Sequence, residues 1–136
     1  MSSHTAYVYF GLKGDFDPVR VDEMIPLDSD MCLAKHSREP HFKTPVSSIL
    51  RYAELNTEDD LIDIYDLADR AVDILSPYTE LFVDAIKKHK ATATFQAVIQ
   101  FPNSEEISTP AIGFSERVVR FISSVGGSID IDTYRR

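Results

Sequence analysis

Tryptophan is absent and cysteine occurs once in this 136-residue chain. Without Trp, the side chain most used as an interface or sugar-stacking anchor is missing, and six Tyr and eight Phe remain for such work. The single thiol, Cys32, excludes an internal disulfide and points to a reducing compartment. Positive charge is the scarcer sign: 14 Lys and Arg stand against 22 Asp and Glu, a net charge of −8. Such a field repels phosphate backbones, which argues against nucleic acid and for a basic protein partner or plain solubility. No apolar run approaches the length of a membrane span, so no membrane partner is expected. The opening MSSHTAYVYF has no charged segment leading into an apolar run, so no signal peptide is expected and the expected location is cytoplasmic.

Hydrophobic residues make up 43% of the chain and charged residues 26%, a globular balance at a length that suits one α+β domain over residues 1–136. The clearest element is Ala91–Phe101, ATATFQAVIQF. Ala93, Phe95, Ala97, Ile99 and Phe101 share one parity; Thr92, Thr94, Gln96 and Gln100 share the other, with Val98 the apolar exception. Side chains alternate across a pleated strand, so one face is apolar and the other wet. A sheet buried on one face takes its helices on that face only.

The same alternation marks His4–Leu12, with Ala6, Val8, Phe10 and Leu12 on one side and Tyr7 and Tyr9 on the other. Asp17-Pro18 then predicts a short helix to about Ile25: the carboxylate caps free N–H groups, and Pro at the first position loses no bond. Met31–His36 and Val46–Glu54 read as two strands joined by a loop, with Asn56–Asp60 a polar, acidic stretch after them. Leu61–Leu75 carries a helical stripe of Leu61, Ile64, Leu67, Ala68, Ala71, Val72 and Leu75. Ser76-Pro77 with Glu80 predicts a capped restart running to about His89, with Tyr78, Leu81, Phe82, Ala85 and Ile86 inward. Ile107–Gly113 reads as a loop or minor strand. Ser115 caps a helix with Val118, Val119, Ile122 and Val125 inward, Gly126-Gly127 ends it, and Ser128–Tyr134 is the last strand.

The expected order is β-α-β-β-α-β-α-β. Its first six elements fit a ferredoxin-like β-α-β-β-α-β unit, extended by a C-terminal α-β, with helices on one face of the sheet. Gly14-Asp15-Phe16-Asp17-Pro18 and Gly127-Ser128-Ile129-Asp130-Ile131-Asp132-Thr133-Tyr134 together resemble the uncharacterised bacterial family catalogued as domain of unknown function four-two-seven-nine. The resemblance covers nearly the whole chain and is loosest over Met31–Glu54, where that family usually carries a Trp. It implies a small cytosolic α+β domain and no particular activity.

The polar sheet face is the sharpest candidate surface, and it would present Tyr7, Tyr9, Thr94, Gln96, Asp130, Asp132 and Tyr134. Some ferredoxin-like domains bind single-stranded RNA on this face through aromatics. Carboxylates accompany the tyrosines here, which favours a cationic protein segment or a small amine; a merely solvated face is the bland alternative. Asp15, Asp17, Asp130 and Asp132 would converge, as a cation site or an acid/base pair, if the first and last strands were neighbours. Cys32, His36 and His41 are the only soft-ligand group, against the commoner case of an inert thiol and surface histidines. Gly126-Gly127 follows a helix instead of opening one, so it is a stop and not a phosphate loop. Asp59, Asp60, Asp63, Asp66, Asp69 and Asp73 form an acidic helix face, solvated or docked to a basic partner.

These patterns point to a non-enzymatic acidic protein-binding module of a bacterial cytosol, with immunity-like neutralisation of a partner as one setting by fold-level analogy. A small-ligand binder or enzyme using the Tyr/Asp face is the first alternative, and a structural homodimer the second. No cofactor and no metal is expected.

Overall fold

A computed structural model describes residues 4–59, 62–102 and 111–135. Its strands are β1 (His4–Gly14), β2 (Met31–Leu33), β3 (Ser48–Asp59), β4 (Thr92–Phe101) and β5 (Ser128–Arg135). They form one mixed sheet in the order β2-β3-β1-β4-β5. The β2/β3, β3/β1 and β1/β4 pairs are antiparallel, and β4/β5 is parallel. The helices are α1 (Pro18–Glu23), α2 (Ile64–Leu75), α3 (Thr79–His89) and α4 (Glu116–Ser124).

The alternation expected for the two long strands places Ala6, Val8, Phe10 and Leu12 of β1 and Ala93, Phe95, Ala97 and Ile99 of β4 in one core. The α2 stripe from Ile64 to Leu75, Phe82 and Ala85 of α3, and Val118, Phe121 and Ile122 of α4 pack into that same core. At its centre Phe82 meets Phe10 and Tyr52 edge-on, with centroids 5.1 and 5.3 Å away. Phe121 completes the group at 5.3 Å from Phe10. Edge-to-face contacts suit the ring quadrupoles and add to the burial term.

Asp17 accepts a 3.0 Å bond from the Val19 amide, and Ser115 accepts one from the Val118 amide, so both expected caps form. Gly126 closes α4 at φ 68°, and the Gly127 amide reaches back to the Ile122 carbonyl at 2.9 Å. Nothing lies within 4 Å of a Cβ built at Gly126, so only the backbone conformation resists a side chain there. Gly126→Ala is expected to cost about 1 kcal/mol, because the left-handed region is strained for an L-residue. A urea titration measures it.

Several expectations need correction. β3 runs on to Asp59, through the acidic stretch read as non-strand, because those residues pair with the first half of β1. Ser76 does not cap α3. It lies in right-handed helical geometry at φ −59°, and a 3-10 turn, Ser76–Tyr78, links α2 to α3 without a side-chain cap. Leu81 and Val119 are exposed, whereas Phe121, unassigned from the sequence, is buried. Asp60, Leu61 and residues 103–110, the last taking in most of the Ile107–Gly113 segment, lie outside the described residues.

Candidate functional site

Residues of one parity on β1, β4 and β5 fall in rows across the sheet face opposite the helices. Tyr9, Gln96 and Asp130 form one row; Tyr7, Val98 and Asp132 form the next; Thr5, Gln100 and Tyr134 form the third. Tyr7, Tyr9, Asp130, Asp132 and Tyr134 therefore share one face. The tyrosines of β1 and the acids of β5 are separated by β4, a span of about 10 Å between strand axes.

Tyr7 and Tyr9 are stacked, with centroids 6.2 Å apart and planes 14° from parallel. The Arg51 guanidinium carbon stands 4.1 Å from the Tyr9 ring centroid, a cation–π contact from the neighbouring strand, and Arg51 is 3.7 Å from Glu54. Gly11 makes this packing fit: a Cβ there would stand 3.2 Å from Tyr9 Cε1. Burial raises the Tyr9 phenol pKa against the opposing pull of Arg51, and Tyr7, Glu54 and Asp132 add to the rise. Tyr9 therefore holds its proton at neutral pH.

The middle of this face is drier than a freely solvated sheet. Gln96 is 7% exposed and Val98 6%, each between a tyrosine of β1 and an aspartate of β5. Gln96 Nε2 donates to Asp132 Oδ2 at 3.0 Å, which fixes both side chains. Beside them lies a cavity of about 100 Å³ lined by Tyr9, Gly11, Lys13, Thr94, Gln96 and Asp130. A wider depression of about 370 Å³ runs along β1 and β3 past Thr5, Tyr7, Asn56 and Glu58. Phenol, amide, ammonium and carboxylate groups converge here on a partly dry floor, an arrangement suited to recognition by hydrogen bonds and charge.

The four aspartates Asp15, Asp17, Asp130 and Asp132 do not converge, because β4 separates β1 from β5. Asp15 pairs with Lys35 at 3.3 Å, and Asp17 caps α1. Cys32 is exposed on β2, whereas His36 lies beyond that strand in a turn at φ 61° and His41 in a 3-10 turn, Pro40–Phe42. Among the described residues no group of three or more His, Cys, Asp or Glu side chains is placed to hold a metal ion. Partial burial, with Asp22 and Asp17 nearby, raises the Cys32 thiol pKa, the wrong direction for a nucleophile.

The acidic face of α2 is largely spoken for inside the molecule. Asp63 caps the helix, Asp66 pairs with Arg70 at 3.1 Å, and Asp69 accepts the Ser115 hydroxyl at 2.5 Å. Asp73 binds the Arg117 guanidinium of α4. Asp69 and Asp73 thus tie α2 to Ser115 and to Arg117 of α4, whereas Asp63 and Asp66 act within α2 itself. The sequence missed this because the partners lie more than 40 positions away along the chain.

A five-stranded mixed sheet with helices packed on one side defines an α+β protein. The chain matches the family described as Domain of unknown function (DUF4279) over residues 4–136, and it belongs to that family. The resemblance carried by Gly14–Pro18 and Gly127–Tyr134 thus reaches across the chain. No curated protein and no solved structure matches it. No described helix is long and apolar enough to cross a membrane.

Proposed function

We propose that the protein is a non-enzymatic binding module whose uncovered sheet face, centred on Tyr7, Tyr9, Asp130, Asp132 and Tyr134, takes a basic protein partner in a bacterial cytosol. The observation that carries this reading is the ordered, partly dried face itself. Stacked tyrosines, a fixed Gln96–Asp132 bond and an exposed Asp130 stand where no described helix packs. Tyrosines beside carboxylates are interface material, with the rings supplying area and the acids selecting cations. Neutralisation of a partner, in the manner of an immunity protein, is a setting that fits such a module by analogy. We also propose a ferredoxin-like core for this module. The order β2-β3-β1-β4 with all neighbours antiparallel, and helices between β1 and β2 and between β3 and β4, suits a split β-α-β pair that α4 and β5 extend.

Two baits compared in lysate of the source cells at low salt test the proposal: the wild-type chain and a Tyr9→Ser/Asp130→Lys variant. The expected result is one stoichiometric protein retained by the wild type, released by salt and lost from the variant. Equal retention by both baits, or retention indifferent to salt, refutes it. The cavity beside Tyr9 favours one second reading, a small amine seated between the Tyr9 ring and Asp130. Its mark would be an amine that raises the melting temperature of the wild type and not of Asp130→Ala.

A further inference from the structure

We infer that β5 is the point of entry for the partner: a basic, extended segment adds to its free edge as a sixth strand. This rests on the proposed binding role and names the chemistry of its partner. β5 pairs with β4 on one side, and no described strand pairs with it on the other. An eight-residue strand that no other described strand pairs on that side offers a row of main-chain donors and acceptors that another extended chain can complete.

The side chains say what that chain must carry. On the open face β5 presents Asp130 and Asp132; on the helix face it presents Ile129 and Ile131, and Ile131 is 42% exposed despite its neighbours in the core. A strand laid alongside places its own residues opposite these in alternation. Lys or Arg at every second position would meet the two aspartates, and apolar residues between them would cover Ile131. A second copy of this chain fits poorly. Antiparallel pairing of β5 with itself about Ile131 sets Asp130 against Asp132 twice, and like charges directly opposite are destabilising. The acids thus discourage self-pairing and select a cationic strand.

The test is titration of the isotope-labelled protein with an end-blocked heptapeptide of alternating Lys and Val, followed by amide NMR and amide exchange. A block-sequence peptide of the same composition and an alternating Glu/Val peptide are the controls. The expected result is shifts and new exchange protection confined to residues 128–135, with binding at least tenfold tighter than for the block sequence. Asp130→Lys/Asp132→Lys should weaken the Lys/Val peptide about tenfold, the effect of two cross-strand charge pairs, and should now bind the Glu/Val peptide. Asp130 is exposed and Asp130→Lys alone keeps the Gln96–Asp132 bond, so its circular dichroism should stay native and it should weaken the Lys/Val peptide by about half as much in free energy as the double variant. Equal binding of the block sequence, shifts at Tyr7 and Tyr9 without β5 protection, or no binding at millimolar peptide overturns the edge proposal. In each case retention of a protein by the wild-type bait and its loss from the Tyr9→Ser/Asp130→Lys bait would leave the face reading standing, so the two failures are told apart.

Discussion

Phe82→Ala is expected to lower the unfolding free energy by about 3–5 kcal/mol, the range for removing a fully buried Phe. Phe82 is 0% exposed and touches Phe10, Tyr52 and Phe121, which belong to β1, β3 and α4. Its ring is therefore the common contact between α3 and the rest of the core. Those neighbours are themselves held by the sheet and by α4, so they cannot collapse far into the space. A domain of this size is stable by about 5–15 kcal/mol in total, so the loss takes a large share. The midpoint of urea unfolding should fall sharply with an unchanged slope. A change below about 1 kcal/mol would mean that the four rings do not form the centre of the core.

Tyr52→Phe removes one oxygen and leaves the packing intact. Tyr52 is buried, and its hydroxyl donates to Asp22 Oδ1 of α1 at 2.5 Å, tying that short helix to β3. A hydrogen bond to a charged group contributes about 1.5–3 kcal/mol, and the lower end applies because water still reaches Asp22. The variant should lose about 1.5 kcal/mol near pH 7. Its pH dependence is the sharper signature. Burial, and then the bond to and charge of Asp22, raise the Tyr52 pKa well above the ordinary tyrosine value. A raised pKa means that the folded state keeps its proton longer than the unfolded chain. The stabilisation is therefore complete below the unfolded pKa of about 10 and drains away as pH climbs above it. Wild type should lose stability steeply above about pH 10 and Tyr52→Phe less steeply, so that their difference narrows. Parallel curves would contradict the placement of Tyr52.

How far the sequence reached depends on which forces acted locally. β1 and β4 were legible because apolar and polar residues alternate along each; Val98, the apolar exception, stands with Gln96 where β4 is buried on both faces. The caps at Asp17 and Ser115 were legible because they rest on neighbours two or three residues away. β3 hid its second half for a specific reason. Ala53 at φ 53° sits where the register with β1 shifts between Val8 and Phe10, so the core parity moves from Leu50 and Tyr52 to Leu55 and Thr57. A strand with an extra residue reads as the end of a strand to any test of strict alternation. On α4 the stripe is Val118, Phe121, Ile122 and Val125; Val119, one step round from Val118, falls off it.

The candidate face was legible as a parity and not as a place. Alternation assigned Tyr7, Tyr9, Asp130, Asp132 and Tyr134 to one side. It carried no information that β4 would stand between the two groups, or that Arg51 would cover Tyr9 from β3. Nor did it show that Asp69 and Asp73 of α2 would bond Ser115 and Arg117. That redistribution shifts the weight of the proposed role from the helix surface to the sheet: Asp66, Asp69 and Asp73 of α2 have partners within the molecule, whereas Asp130 is exposed beside the Tyr9 cavity.

Hydrogen exchange of the protein, free and with the retained partner, tests that claim most directly. The account predicts slowed exchange along Ser128–Arg135, with the exposed surface of α2 and α3 unchanged. Protection confined to α2 and α3, with β5 exchanging as in the free protein, would contradict it.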